Sequence, residues 1–276
     1  MDIKKIAILG SGSMGTAILS GLLKAGFDAG SVSVSTKSQA SANRLAETFG
    51  VTGYSNEASS AANSLAVAGA DLVLVAVKPA YVTEVLREVS PSLNPDALVV
   101  SVAAGITTAT MEAAVPVSVA VIRSMPNTPA IVGRAVTGVA KGSRASDVQL
   151  NRATSLFETV GKVVVLPESQ IDELGTVSGS GPAYVFFLIE QFTKAAIDLG
   201  FDAETAHLLV SETFLGASEL LAASDRTPAE LRRQVTSPNG TTERAIAQLE
   251  TGDLDELFAK ATRAALARSK ELAAGK

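Results

Sequence analysis

The sequence predicts an α/β fold in which an open, mainly parallel sheet is followed by an all-helical domain. Apolar runs with strand character alternate with helical patterns up to about residue 167, as is typical of a sheet covered by helices on both faces. After Glu168 no further β-rich run occurs, and the periodic segments are helical. We therefore expect two domains, 1–167 and 168–276, in this chain of 276 residues.

The individual elements follow from apolar periodicity and from the turns that bound it. The predicted strands are 3–9, 31–35, 71–77, 97–102, 117–122, 135–140 and 162–166. Helices are predicted between them near 14–25, 38–48, 79–89, 107–114 and 146–159. The helices predicted in the second domain are 171–174, 182–199, 203–223, 228–235, 241–250 and 254–273. Ligands of such sheets bind at the carboxyl ends of the strands, so the residues after each strand are the first candidates for a site.

The composition excludes several classes of function. With 23 Lys and Arg against 28 Asp and Glu, a net charge of −5 offers no basic surface for nucleic acid or an anionic membrane. The absence of cysteine excludes disulfides, thiolate metal sites and cysteine nucleophiles, and we expect no metal site. The single histidine, His207, lies in an apolar helical run, where a packed or partly exposed helix residue is expected rather than a catalytic base. We expect a soluble cytoplasmic protein, because the long uncharged span 174–189 is too short and too broken to cross a bilayer.

The segment 10–15, Gly-Ser-Gly-Ser-Met-Gly, follows an apolar strand and opens a helical pattern. Gly10 permits a tight turn, Gly12 removes a side chain where phosphates approach the backbone, and Gly15 lets the helix pack close to the strand. The pattern predicts a dinucleotide site in a Rossmann-type domain, with a pyrophosphate at the helix N-terminus. The alternative is a glycine turn that only packs a helix on a sheet. The residues assigned to this turn are Gly10, Ser11, Gly12, Ser13, Met14 and Gly15.

The end of the second strand predicts which dinucleotide binds. Ser35, Thr36 and Lys37 stand where an acidic residue would accept hydrogen bonds from the ribose hydroxyls of NAD. Hydroxyls and a lysine instead offer donors to a 2′-phosphate, which a carboxylate would repel. NADP is therefore favoured over NAD, and the alternative is a solvated turn.

Three further segments follow predicted strands and are candidates for contacts with the same ligand. The backbone of Ala76, Val77 and Lys78 ends one strand, and Ala103 follows another in a run of small residues against which a flat ring can lie. In 123–130 two prolines flank Asn-Thr and fix the backbone, which makes this loop a candidate wall of the nicotinamide pocket. The alternatives are simple packing, a solvated lysine and an edge turn.

The apolar character of 182–199 predicts an oligomer. Its apolar residues spread over most of the helix circumference, and a domain of about 110 residues cannot easily bury such a helix alone. A homodimer through this region is expected.

Two segments are predicted to interrupt the helices: a flexible turn at 177–184 and a turn at 235–242 that opens a helix. In the latter, free N–H groups and the hydroxyls of Ser237, Thr241 and Thr242 offer a site for a carboxylate. An N-capped helix start is the alternative.

Together, five motifs resemble pyrroline-5-carboxylate reductase, in the order and spacing of that family and over the whole chain. They are Gly-Ser-Gly-Ser-Met-Gly at 10–15, Ala-Val-Lys-Pro at 76–79, Arg-Ser-Met-Pro-Asn-Thr-Pro at 123–129, Ser-Gly-Ser-Gly-Pro-Ala-Tyr at 178–184 and Thr-Ser-Pro-Asn-Gly-Thr-Thr at 236–242. The last motif departs from the usual Pro-Gly-Gly-Thr by carrying Asn239. Because asparagine tolerates left-handed backbone, we expect the turn to persist with slight strain.

The resemblance implies an NADP-dependent enzyme that reduces 1-pyrroline-5-carboxylate to L-proline by hydride transfer from NADPH, with NADH as a possible weaker donor, in the last step of proline biosynthesis. It also implies a homodimer with interleaved helical domains, often assembled into a decamer of five dimers. Carried over by position, the substrate contacts are Glu168, Ser237, Gly240, Thr241 and Thr242, and the Thr242 hydroxyl is the catalytic group near the ring nitrogen. The implied cofactor contacts are residues 10–15, Ser35, Thr36, Lys37, Asn56, Ala76, Val77, Lys78 and Ala103. By itself Asn56 is typical of an ordinary helix cap.

Two other functions are compatible with these residues. The chain could reduce another small carboxylated imine or keto acid with the same cofactor, or it could be a dinucleotide-binding sensor without catalysis. A sensor would be expected to carry damage in the turn at 235–242, where Asn239 is the one candidate.

Overall fold

The computed structural model describes residues 3–273, which divide into two compact units. The first unit comprises residues 3–180 and 265–273, and the second comprises Gly181–Ala264. Residues 1–2 of the first predicted domain and residues 274–276 of the second lie outside the described residues.

The first unit contains an eight-stranded sheet and seven α-helices among the described residues. The strands are β1 (Ile6–Leu9), β2 (Val32–Thr36), β3 (Thr52–Ser55), β4 (Leu72–Val75), β5 (Leu98–Ser101), β6 (Ala120–Met125), β7 (Ala135–Lys141) and β8 (Gly161–Val165). The helices are α1 (Ser13–Lys24), α2 (Gln39–Phe49), α3 (Ala62–Val67), α4 (Val82–Val89), α5 (Thr108–Glu112), α6 (Asp147–Glu158) and α7 (Ile171–Leu174).

The strand order is β3-β2-β1-β4-β5-β6-β7-β8, and only the β6–β7 pair is antiparallel. The predicted fold class is therefore confirmed. Leu9 at the end of β1 stands opposite Ser35 of β2 and Val75 of β4. The residues that follow these three strands consequently meet at one edge of the sheet.

The central strands are apolar throughout because helices cover both faces of the sheet. Successive residues of β1 enter different cores: Ile6 and Ile8 belong to one cluster, Ala7 and Leu9 to the other. All four are completely buried.

Two elements between residues 50 and 70 were not predicted. β3 contains Gly53 and Tyr54 and is only partly buried, so it lacks an apolar run and forms by pairing with β2. A Cβ at Gly53 would lie 2.7 Å from the carbonyl oxygen of Ala42 in α2, so glycine permits this close packing. The helix α3 has six residues and gives too short a periodic signal to be recognised.

The prediction of a flexible turn at 177–184 is wrong. A π-helix spans Gly175–Gly179, and the next helix begins at Gly181. Small residues permit close approach here as well as turns: the Cβ positions of Gly175 and Gly179 lie 3.4 and 3.2 Å from the Met125 methyl carbon. The predicted helix at 79–89 also differs, since Pro79–Tyr81 form a 3-10 turn before α4.

The second unit is helical. Its helices are α8 (Gly181–Asp198), α9 (Ala203–Ala222), α10 (Pro228–Gln234) and α11 (Thr241–Glu250), and α12 (Leu254–Ala273) is divided between the units at residue 264. Its core is small, with Ala196, Ala206 and Val210 buried. Asp202 caps α9, and its hydrogen bonds from the backbone and hydroxyl of Thr205 lower the pKa of the Asp202 carboxyl.

Large apolar side chains remain exposed on α8 when the chain is taken alone. Phe186, Phe187 and Phe192 are 66%, 59% and 52% exposed. No helix of residues 3–273 is both long and apolar enough to span a membrane.

Gly21 lies where α1 packs against the residues before β8, so a substitution at this position tests that packing. A Cβ there would collide with Val160 Cγ1 and lie 2.9 Å from the carbonyl oxygen of Thr159. We expect Gly21→Ala to lower the free energy of unfolding by about 1–3 kcal/mol, although alanine is the better helix former. Urea unfolding measures this, with Lys24→Ala on the exposed side of the same helix as the control. An equal or greater stability of Gly21→Ala would contradict the packing argument.

Candidate functional site

The turn between β1 and α1 is closed by contact between backbones. Gly10 has φ +84°, and a Cβ on it would lie 2.9 Å from both the carbonyl oxygen of Ala76 and the amide nitrogen of Val77. The Gly10 amide donates to the carbonyl oxygen of Ser35 at 3.1 Å, and the Ala76 amide donates to that of Leu9 at 2.8 Å. Only glycine combines this φ with this approach, so the ends of β1, β2 and β4 are held together here.

Gly12 is the N-cap of α1, and no side chain caps the helix there. A Cβ on Gly12 would meet nothing within 4 Å, so the space in front of the first-turn amides is open. The buried hydroxyl of Ser11 has no hydrogen-bond partner among the described residues. Free amides, a helix dipole and an unpartnered hydroxyl together fit an anionic group such as a pyrophosphate.

The other residues of the turn shape it. Ser13 begins α1, Met14 packs partly against the core, and a Cβ on Gly15 would lie 2.7 Å from the carbonyl oxygen of Gly10. Glycine at position 15 therefore lets α1 start directly against the turn.

A cavity of about 520 Å³ opens at this edge of the sheet. Seven of the implied cofactor residues line it: Gly10, Ser35, Thr36, Lys37, Asn56, Val77 and Lys78. Sequence reasoning missed Asn63, Tyr81, Glu84, Val85 and Glu88, which also line the cavity. These residues lie on α3 and around α4 rather than directly after a strand, so the rule used to find candidates did not select them.

The hydroxyls of Ser35 and Thr36 donate to other protein groups in this structure, so their role as donors to a 2′-phosphate stays a prediction. Ser35 is 1% exposed and donates to Asn63 Oδ1 at 2.7 Å, and Asn63 in turn donates to Glu88 Oε2 at 2.9 Å. The Thr36 hydroxyl donates to the carbonyl oxygen of Ser38 at 2.9 Å. A hydroxyl group has one proton, so the Ser35 and Thr36 hydroxyls both donate their only proton to these protein acceptors. Lys37 is exposed and lines the cavity, and it forms no ion pair with the described residues. Its ammonium group is therefore the side-chain donor after β2 that remains available to a phosphate.

Ala103 lies after β5 with its side chain in the second core, 5% exposed, and it does not line the cavity. Its amide donates to the Ser101 hydroxyl at 3.2 Å. Only its backbone and neighbouring small residues could therefore face a ligand at this strand end.

The segment 123–130, which comprises the end of β6 and the loop after it, is anchored by buried side chains rather than being a simple edge turn. Arg123 is 3% exposed, and its guanidinium contacts Asp172 Oδ1 at 2.6 Å and Glu168 Oε1 at 3.6 Å. Asn127 donates to the carbonyl oxygen of Ser178 in the π-helix at 2.9 Å and accepts from the amide of Val136 at 2.9 Å. The loop thereby fastens β6, β7 and the π-helix to one another.

Glu168 binds the start of α5. Its two carboxylate oxygens accept hydrogen bonds of 2.6 Å from the amide and the hydroxyl of Thr108. The side chain is 29% exposed. Because each carboxylate oxygen has two lone pairs, Glu168 keeps capacity for a further donor.

The remaining substrate candidates lie together in the second unit. Gly240 is the N-cap of α11 without a side-chain cap, and its amide donates to the carbonyl oxygen of Ser237 at 3.0 Å. Thr241 and Thr242 are the first two residues of α11, and Thr242 is half-buried while Ser237 and Thr241 are exposed. The open first turn of α11 resembles that of α1 and can receive a carboxylate.

Asn239 adopts the left-handed conformation, with φ +58°. Its amide donates to Glu243 Oε2 at 2.9 Å, which stabilises the turn from within α11. The substitution of asparagine for glycine therefore leaves the turn intact in this chain.

His207 lies exposed on α9, and its Nδ1 is 3.5 Å from the Ser211 hydroxyl. Among the described residues, this contact of His207 is with its own helix, and its exposure agrees with the expectation of a packed or partly exposed helix residue.

Comparison with known families gives two matches. The family model described as pyrroline-5-carboxylate reductase dimerisation matches residues 168–272. The model described as NADP oxidoreductase, coenzyme F420-dependent, matches residues 5–105.

Individual relatives match over the full length. A pyrroline-5-carboxylate reductase of Pseudomonas aeruginosa is 39% identical over 274 residues, 99% of this chain and 98% of that protein. A solved pyrroline-5-carboxylate reductase from Coxiella burnetii has a TM-score of 0.90 at 37% identity, with 98% of each chain covered. A Plasmodium falciparum pyrroline carboxylate reductase solved with NADP bound has a TM-score of 0.83 at 25% identity, covering 99% of this chain and 98% of that one.

The glycines of the first turn differ in what a methyl group would disturb. We expect Gly12→Ala to unfold like the unchanged protein, because its Cβ meets nothing, but to weaken NADP⁺ binding at least about tenfold, or ~1.4 kcal/mol. Gly15→Ala should lose stability as well, because its Cβ would press on the carbonyl oxygen of Gly10. Thermal unfolding measures the loss of stability, and isothermal titration calorimetry with NADP⁺ measures the loss of binding. Unchanged NADP⁺ binding by a folded Gly12→Ala protein would show that the turn between β1 and α1 does not contact the nucleotide.

Proposed function

The chain belongs to the pyrroline-5-carboxylate reductase family, and from this premise we infer that it reduces 1-pyrroline-5-carboxylate to L-proline with a hydride from NADPH, the last step of proline biosynthesis. The observation that carries the inference is the similarity over the whole chain, 39% identity across 99% of its length. Both predicted sites are present in the sequence that is compared.

The residues of the first unit fit NADPH. The open first turn of α1, with Gly12 and the unpartnered Ser11 hydroxyl, would hold the pyrophosphate. Lys37 would face the 2′-phosphate, and the backbone at Val77 and Lys78 would border the nucleotide in the cavity. When bound, NADPH supplies the hydride.

The second unit supplies the groups for an anionic substrate. The amides at the start of α11 and the hydroxyls of Ser237 and Thr241 would bind the carboxylate. The Thr242 hydroxyl would orient the ring nitrogen or relay a proton to it. Glu168, held by Thr108 in the first unit, stays a proposed substrate contact through its remaining lone pairs.

This set of groups suffices for the reaction. A C=N bond accepts hydride readily once its nitrogen is protonated, so the protein must chiefly orient the reactants and exclude water. A strong acid or base is not obligatory, which agrees with the position of His207 outside these groups.

We also propose a homodimer formed through the helical unit, with a decamer of five dimers as a further assembly. The match to a dimerisation model over 168–272 and the exposed Phe186, Phe187 and Phe192 support the dimer. Light scattering on the purified chain would measure its assembly size. A cytoplasmic location is likewise proposed; the absence of cysteine is compatible with it, and cell fractionation would test it.

The reaction itself is tested by comparing two substrates. We expect the chain to oxidise NADPH faster with 1-pyrroline-5-carboxylate than with its six-membered analogue, because the carboxylate and the ring nitrogen must both be placed. A spectrophotometric assay of NADPH consumption gives kcat/KM for each. Faster turnover of the analogue would favour the reductase of another imine, and binding without turnover would favour a sensor.

The role of Thr242 is tested by removing its hydroxyl. Thr242→Ala should bind NADPH normally and lose about 100-fold in kcat/KM, within the range for a group that assists proton transfer. Thr242→Ser keeps a hydroxyl and should retain most of the activity. Equal turnover by the alanine variant and the unchanged enzyme would show that the hydroxyl takes no part.

A further inference from the structure

An acidic side chain from the turn after β3 accepts a hydrogen bond from the N-terminus of α2. Glu57 lies in the turn after β3, and its Oε2 accepts a hydrogen bond of 2.8 Å from the amide of Gln39, the first residue of α2. The backbone of this turn is fastened to the segment after β2: the Asn56 amide donates to the carbonyl oxygen of Thr36 at 3.0 Å, and the Glu57 amide donates to that of Lys37 at 3.1 Å.

Glu57 therefore occupies a position suited to an anion. The first amides of a helix and its dipole attract negative charge. Ser38 already caps this helix through the amide of Ser41, so Glu57 adds a second acceptor at the same end. Glu57 itself does not line the nucleotide cavity, but it directly follows Asn56 and its amide donates to the carbonyl oxygen of Lys37, and both of these residues line the cavity.

The balance of charge at this end of the cavity is consequently different from what the sequence suggests. Read along the chain, the segment after β2 has Lys37 and no acid. In the fold, Lys37 is accompanied by the Glu57 carboxylate, while the Ser35 and Thr36 hydroxyls are committed to other acceptors. The charged residues that line the cavity itself are Lys37, Lys78, Glu84 and Glu88, and Glu57 lies next to this lining.

We propose that Glu57 is a specificity-determining residue that weakens the preference of this chain for NADPH over NADH. This proposal rests on one part of the proposed function, namely that the cavity holds a nicotinamide dinucleotide with the 2′ position of its adenosine ribose beside Lys37. A 2′-phosphate is repelled by the carboxylate and competes with it for the Gln39 amide. A 2′-hydroxyl can instead donate a hydrogen bond to the carboxylate, the role that an acid after the second strand has in NAD-binding domains.

The matched test removes the charge and keeps the shape. In Glu57→Gln the full chain should bind NADP⁺ about two- to fivefold more tightly, a modest factor because the site is exposed and screened. Binding of NAD⁺ should be unchanged or slightly weaker. Isothermal titration calorimetry gives both Kd values, and the gain for NADP⁺ should shrink at high ionic strength.

Two controls bracket this result. Glu47→Gln makes the same charge change at the other end of α2 and should leave the ratio of the two Kd values as it is. Lys37→Gln should shift the ratio in the opposite direction, towards NAD⁺. An unchanged ratio in Glu57→Gln, or an equal change for both nucleotides, would overturn the proposal and leave Glu57 as a cap of α2.

The outcome is separable from the proposed function. The titrations need no imine substrate, so a chain that binds both nucleotides but does not reduce 1-pyrroline-5-carboxylate still decides the role of Glu57. A chain that binds neither nucleotide would overturn the proposed function and this inference together.

Discussion

The contact on which the first unit depends is that of Gly10 with the backbone of Ala76 and Val77. A Cβ on Gly10 would lie 2.9 Å from a carbonyl oxygen and an amide nitrogen, two atoms that cannot move without breaking the end of β4. Since the Gly10 amide also donates to Ser35, one residue without a side chain joins three strand ends. The open N-terminus of α1 and the cavity beside it exist because the chain can turn at this point.

The main features of the fold were predictable because burial on two faces leaves a strong apolar signal. β1 and β4 carry that signal in consecutive residues, and the spacing of the glycines identifies the turn after β1. β3 and α3 were missed because β3 is half-exposed and α3 is short, so pairing and packing rather than local pattern determine them. The π-helix was mistaken for a turn because glycine and serine serve close packing as well as flexibility.

The site was predictable to the level of segments but not of hydrogen bonds. The strand-end rule located Lys37, Val77 and Lys78, all of which line the cavity. It could not foresee that Asn63 would take the Ser35 proton, or that Glu57 would reach α2 from the turn after β3, because both pairings join residues well separated in sequence. Partners of this kind are fixed by strand order, which the sequence of a single strand does not contain.

The helix starts of the described residues differ in how their first amides are satisfied. Five of the described helices have an N-cap residue whose side chain accepts from an amide of the first turn: Ser38 before α2, Thr107 before α5, Ser146 before α6, Asp202 before α9 and Thr227 before α10. Several helices, among them α3, α4 and α7, have no side-chain cap, and in α1 and α11 the uncapped N-cap residue is glycine. An uncapped helix start costs stability unless a ligand or water satisfies its amides. The two helices proposed to bind the pyrophosphate and the substrate carboxylate both have an uncapped glycine N-cap, and the proposed binding groups are backbone amides, which do not titrate.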